Sequence, residues 1–285
     1  MNNYKKAFCT FSDSRLRKSL NRIKQQAEEM EVYNIINIFD ETQLDPAFRE
    51  RFRDHLYPGS RGYGFWSWKP QVILQTLRKL NDGDVVQYTD TGCHLNKNGK
   101  KRLEEYFNIA HNSPNGILAF KSKSKDTAIG NETFYENFEY KYNKGDVFNY
   151  FNVLDKPDFT HSVQYEAGIT FIRKSPETVK FVEDWIHAFT TNFDLISDAP
   201  SKVPNLPGFV DHRHDQGIYS ILCKKFGVSE LFSNEYFTSG DWAELNDFPI
   251  WVKRDMKFGT ILRAKRFIRR NTRLLLKKIG LSNNK

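Results

Sequence analysis

Apolar residues along the chain fall alternately into short continuous runs and helical spacings. Lys6–Phe11, Val32–Phe39, Val85–Thr89, Gly116–Phe120, Gln164–Arg173 and Leu231–Phe232 read as strands. Between them, Arg15–Met30 sets Leu16, Leu20, Ile23 and Ala27 on one helical face, and Pro70–Leu80, Lys100–Ala110, Pro176–Thr190 and Asp215–Phe226 read as further helices. Pro70 suits a first helical turn, Ser175-Pro176-Glu177 is a helix start, and Asn81-Asp82-Gly83-Asp84 is a turn. Strand–helix alternation predicts an α/β fold, with a mostly parallel central sheet, helices on both faces, and ligands beyond the carboxyl ends of the strands. Segments 121–160 and 191–211 have loop composition and are expected to shape a substrate site.

Composition narrows the class. With 285 residues, 39% hydrophobic and 27% charged, the chain is expected to be a folded domain with a sizeable core, which excludes a disordered or collagen-like protein. No apolar run approaches a membrane-spanning length, and the start Met1–Lys6 leads into a stretch too short for a signal-peptide core. Cys9, Cys93 and Cys223 are widely spaced, so a reducing cytosol is expected, without a disulfide framework or zinc module.

The formal charge of +8 is unevenly placed. Ten of the 43 basic residues lie beyond Met256 with no acid among them, leaving 33 basic against 35 acidic residues in 1–255. We therefore divide the chain into a near-neutral body, 1–255, and a basic tail, 256–285. Within the tail, Phe258, Ile261, Leu262, Ile268, Leu275, Leu276 and Ile279 recur at roughly helical spacing among Arg and Lys. A basic amphipathic helix over 258–279 would lie on an anionic membrane surface, placing the protein peripherally on the inner face of the plasma membrane; the other reading is a helix packed on the domain. A non-catalytic nucleic-acid or anionic-surface module built on the tail is a rival reading, but the body does not extend the basic surface, so no nucleic-acid partner is expected.

Neither a glycine-rich dinucleotide fingerprint nor a Walker loop occurs. The first strand runs into Thr10-Phe11-Ser12-Asp13-Ser14-Arg15, where Asp13 could take a ribose hydroxyl or base N–H and Arg15 a phosphate; alternatively Ser12 or Asp13 caps the following helix. In Gly62-Tyr63-Gly64-Phe65-Trp66-Ser67-Trp68-Lys69-Pro70, two glycines permit close backbone approach and Lys69 stands at a helix start, where an anion would sit. The Trp rings read either as core or as walls of a sugar-diphosphate site. Asp90 follows the strand Val85–Thr89, placing an acid at the crevice, where a divalent cation could bridge it to a diphosphate.

The order of these motifs resembles the bacterial nucleotide-sugar glycosyltransferases of the GT-A type that build capsule and lipopolysaccharide O-chains. The resemblance spans about residues 5–245 and rests most on Gly62–Pro70 together with Tyr88-Thr89-Asp90. It implies a GT-A-like domain over 1–255. That family holds a metal and the donor diphosphate with an Asp-x-Asp strand end; Asp90 matches the first acid, but Gly92 stands where the second would be. A Mn or Mg ion is thus an expectation at Asp90, with His214, or less so His212, as a replacement ligand. The resemblance further implies that Thr10, Phe11, Asp13 and Arg15 hold the nucleoside, that Lys69 steadies the diphosphate, and that Trp66, Trp68 and Tyr88 wall the donor pocket. Glu166, in Gln164–Phe171, would accept the acceptor proton or hydrogen-bond the donor sugar, and Asp215 and Gln216 would touch the transferred sugar. A plainer reading makes Asp215 a first-turn acid beside exposed histidines. The expected activity is hexose transfer from a nucleotide-diphosphate sugar, UDP-linked by preference, to a lipid-linked or surface glycan; a sugar nucleotidyltransferase or hydrolase is the alternative within the same crevice.

Overall fold

The computed structural model describes residues 4–122, 137–238 and 240–255. The runs that read as strands form one six-stranded sheet in the order β2-β1-β3-β6-β5-β7: β1 (Lys6–Phe11), β2 (Ile35–Phe39), β3 (Val85–Thr89), β5 (Ile117–Lys121), β6 (Tyr165–Arg173) and β7 (Ser229–Phe232). β1 pairs in parallel with β2 and β3, and β5 with β7. β6 runs antiparallel to both β3 and β5. The chain is thus a mixed α/β protein with a mainly parallel sheet. Successive residues of each strand serve opposite faces. Ala7, Cys9, Phe11, Val86 and Tyr88 pack with α4 (Trp68–Leu77), α9 (Pro176–Thr191) and α10 (Asp215–Phe226), through Val72, Ile73, Trp185 and Tyr219. Phe8, Val85, Phe120 and Phe171 pack on the other side with Ile23 and Ala27 of α1 (Arg17–Met30) and with Leu103 and Phe107 of α5 (Lys100–Asn112). Helices on both faces explain why β3 is buried along its whole length.

The reversed direction of β6 decides what the sheet edge presents. Thr89 pairs with Ile169, so the beginning of β6 lies at the same edge as the ends of β1, β3 and β5. Glu166 therefore arrives at the crevice from the opposite chain direction to Asp90. A register shift between Ala119 and Phe120 opposite β6 marks a bulge there, which re-aims the strand's first residues.

Several boundaries differ from the sequence reading. Residues 14–16 form a 3-10 turn before α1, because Asp13 caps it by accepting from the Arg15 N–H. β2 begins at Ile35 and α4 at Trp68, two residues ahead of Pro70. A helix unmarked by any long periodicity, α2 (Pro46–Arg51), starts at an Asp45 cap. The expected loop 121–160 contains α6 (Glu139–Tyr142), α7 (Gly145–Tyr150) and α8 (Pro157–Thr160). The cap of α9 is a reciprocal box between Ser175 and Thr178. A two-stranded sheet of β4 (His94–Leu95) and β8 (Ile250–Trp251) ties the last described segment to the body. The three cysteines are free and buried. No helix among the described residues is long and apolar enough to cross a membrane. The basic tail, including 258–279, lies outside the described residues.

Between α2 and α4 stands α3 (Gly62–Phe65), a single turn with the wrong hand: Gly62, Tyr63, Gly64, Phe65 and Trp66 all have positive φ. The three non-glycine residues cost roughly 1–2 kcal/mol each in this conformation. Packing holds it: Tyr63 is buried near the Phe11 ring, Trp68 Nε1 donates to the Gly62 carbonyl at 2.9 Å, and the Ser60 hydroxyl accepts from Gly64 N at 2.7 Å. A Cβ on Gly62 would lie 2.5 Å from the Trp66 ring, whereas one on Gly83, also at positive φ, would meet nothing within 4 Å. Gly83→Ala is expected to lose about 1–2 kcal/mol in urea unfolding, the backbone cost alone. Gly62→Ala should lose measurably more; equal losses would mean that the Trp66 ring is not fixed over this turn.

Candidate functional site

The left-handed turn ends where α4 begins and delivers Lys69 into the interior. Its ammonium is 2.9 Å from Asp215 Oδ2 and 3.4 Å from Asp90 Oδ1. Asp215 opens α10, and Asp90 is the first residue beyond β3. Lys69 and Asp215 are almost wholly buried, with side chains 4% and 5% exposed, while Asp90 at 36% is the member of the trio open to solvent. Tyr88 donates to Asp90 Oδ1 at 2.6 Å, and its ring centroid lies 5.6 Å from the ammonium. The Asp90 N–H donates to the Gly168 carbonyl at 2.9 Å, and a Cβ at residue 168 would sit 3.1 Å from Asp90 Oδ2, so glycine there gives the carboxylate its room.

Burial opposes charge on Lys69, but Asp215 and then Asp90 outweigh it and raise the pKa, so the ammonium stays charged. Burial likewise pushes the Asp215 carboxyl up to about 6, against the pull of Lys69. Apart from the Lys69 ammonium, no donor among the described residues meets Asp215 Oδ2.

A second polar group adjoins this trio. Glu166 Oε1 accepts from Asn137 Nδ2 at 3.1 Å and from the Ser122 hydroxyl at 3.3 Å. Arg213 donates to Asn137 Oδ1 at 2.9 Å and stacks on Tyr142 at 4.1 Å. Gln216 donates to Gln164 Oε1 at 3.0 Å, and Gln164 donates in turn to Glu139 Oε2 at 2.9 Å. Glu139 is completely buried and is met by Lys224 at 2.5 Å, by Asn143 at 3.1 Å and by the Ser220 hydroxyl. Burial lowers the Lys224 pKa, with Glu139 pulling against it. Asn137, Glu139, Gln164, Arg213 and Lys224 escaped the sequence reading. The available signal was Ser220 and Lys224 four residues apart on the buried side of α10.

At the end of β1 the expected residues occupy defined places. Thr10 Oγ1 is 3.0 Å from Thr91 Oγ1, which donates to the Phe11 carbonyl at 2.6 Å. Phe11 stacks on Trp68 with centroids 4.1 Å apart. Asp13 takes a fork from Arg15 (Nε–Oδ1 2.6 Å, Nη2–Oδ2 2.8 Å) besides capping the turn, so both charges engage one another. Trp66 stands farther along, beside His214 at 5.2 Å.

The two histidines are buried, not exposed. His214 Nδ1 donates to the Ile196 carbonyl at 2.7 Å and Nε2 faces Asp198 at 3.8 Å; His212 Nε2 donates to the Leu195 carbonyl at 2.8 Å. Asp90 and His214 therefore have separate partners. Among the described residues no three His, Cys, Asp or Glu side chains group as a metal site. Asp90 has no second acid at its own strand end, and the Lys69 ammonium stands between it and Asp215.

No family model and no curated protein matches the chain. Solved structures of similar architecture do. A glycosyltransferase involved in glycosylation of the major capsid of PBCV-1 is 11% identical, with a TM-score of 0.45 over 87% of this chain and 91% of that one. Mouse xyloside xylosyltransferase 1 is 9% identical, with a TM-score of 0.41 over 87% and 96%. The 4-diphosphocytidyl-2C-methyl-D-erythritol synthase of Anaerococcus prevotii is 11% identical, with a TM-score of 0.36 over 93% and 99%.

The Asp215 carboxyl gives a pH dependence whose sign follows from its raised pKa. An acid raised from 3.8 to about 6 on folding adds stability that is full below the lower value and is lost as pH rises through the upper one. Asp215→Asn lacks this titration, so its melting temperature relative to wild type should rise between pH 4 and pH 7. Parallel melting curves across that window would place the titration elsewhere.

Proposed function

We propose that the protein is a glycosyltransferase of GT-A-like fold that moves a hexose from a nucleotide-diphosphate sugar, UDP-linked by preference, to a lipid-linked or surface glycan in capsule or lipopolysaccharide synthesis. The observation that carries this reading is the buried Lys69 ammonium between Asp90 and Asp215 at the carboxyl edge of β1 and β3. In an open α/β sheet that edge is where ligands bind, and a fixed cation there meets the charge that develops on a departing diphosphate. Of the expected aromatic residues, Phe11, Trp68 and Tyr88 are buried in the core, and the partly exposed Trp66 is the ring left to face a sugar.

In the proposed reaction the bond between the sugar's anomeric carbon and the diphosphate oxygen breaks, and the acceptor oxygen bonds that carbon. The nucleoside diphosphate leaves with the electron pair, and the acceptor hydroxyl proton passes to the Glu166 carboxylate. Asn137 and Ser122 hold that carboxylate in place. Gln216, tied to Gln164, contacts the sugar, with Asp215 beside it.

Release of nucleoside diphosphate from a panel of nucleotide sugars, with acceptor-free hydrolysis included, tests the reading. Asp90→Asn should lower turnover about 100-fold or more while leaving the fold intact by circular dichroism. No release from any donor, or sugar phosphate as product, would overturn it. The basic tail supplies the proposed contact with an anionic membrane, each basic residue near the surface contributing about 1 kcal/mol. Deleting 258–285 should abolish sedimentation with phosphatidylglycerol vesicles and leave release from soluble donors unchanged.

A further inference from the structure

The last described segment approaches the crevice at the residue where the strand-end motif lacks its second acid. The Asp255 N–H donates to the Gly92 carbonyl at 2.9 Å, and three residues earlier the Val252 N–H donates to the Tyr236 carbonyl at 2.9 Å. The Asp255 carbonyl is also gripped by Arg22 at 2.9 Å. Arg254 is therefore pinned on both sides. It is exposed, and it is held at φ 51°, a left-handed conformation rarely adopted by a residue with a Cβ. The same Arg22 donates to the Thr91 carbonyl at 2.7 Å and to the Cys93 carbonyl at 3.0 Å, so the segment that carries Arg254 lies against residues 91–93, just beyond Asp90. Lys69 thus meets Asp90 from the interior, and the exposed Arg254 stands one residue from the backbone contact with Gly92 at the rim.

We infer that Lys69 and Arg254 together are the cation of the donor site, holding the diphosphate where a divalent metal would otherwise bridge it to two strand-end acids. This rests on the reading of the protein as a nucleotide-sugar enzyme. Lys69, Arg254, Asp90 and Asp215 sum to a formally neutral set. A diphosphate entering beside solvent-open Asp90 meets one cation already fixed and desolvated and a second whose planar fork suits phosphate oxygens. Glycine at position 92 fits this arrangement, since its carbonyl anchors the arginine-bearing segment.

Calorimetric titration of the full chain with UDP and with GDP, after exhaustive chelation and again with 1 mM manganese, separates the possibilities. The expected result is binding of one nucleotide with a dissociation constant within about threefold in the two conditions. Arg254→Gln, at an exposed position, should weaken it about tenfold or more, Arg254→Lys should weaken it less, and uridine or guanosine binding should be unaffected by either. Binding that appears only with manganese, or that is indifferent to Arg254→Gln, overturns the two-cation site while the nucleotide-sugar reading stands. Binding of neither nucleotide in either condition overturns that reading, and the inference with it.

Discussion

The structure turns on an ammonium group almost wholly withdrawn from bulk water. A lysine taken into a protein interior costs several kcal/mol unless carboxylates meet it. Lys69 is met by two, one from the end of β3 and one from the start of α10. Those elements come from distant parts of the sequence and pack on the same side of the sheet as α4. The ion pair thus fixes the mutual position of three elements at the crevice, and the odd-handed turn before α4 is part of how the lysine arrives there. Backbone strain at such a place is tolerated when the surroundings over-determine it; here Tyr63, Trp68 and Ser60 do so.

A second buried charge serves a different end. Glu139 and Lys224 lie outside the trio, but Glu139 also holds Gln164, and Gln164 holds Gln216. Removing one partner of a buried pair typically costs about 3–5 kcal/mol, because the other charge is left alone. A network of this kind stabilises little against an apolar alternative and instead specifies geometry. It orients Gln216 at the first turn of α10 while Lys69 orients Asp215 next to it, so two independent charge pairs converge on one helix end.

Much of this was legible in the sequence. β1, β3, β6 and α10 appear as apolar runs or periodic faces because both sides of the sheet are covered; Lys69 and Asp90, singled out by their places at element ends, are brought together with Tyr88 and Asp215, which the resemblance implied. The direction of β6 was not legible, since alternation of apolar residues is the same read either way. The left-handed turn was not, because Tyr63, Phe65 and Trp66 have no local preference for positive φ and adopt it only under tertiary packing. Asp13 and Arg15 show the opposite case: the local capping reading is the one the geometry displays, a short-range interaction the sequence does encode. Glu139 lay in a stretch of loop composition, where its partner on α10 gave the faint signal.

The bond between Asp255 and Gly92 also acts as a mooring. It fixes the departure point of the basic tail at the lip of the crevice, and from Asp255 to Phe258 any peptide reaches at most about 11 Å. A surface that captured the tail from Phe258 onward would hold the crevice within that reach, in the way a short painter keeps a boat's side against a quay. An acceptor carried in the same surface would then search a plane for the crevice instead of a volume.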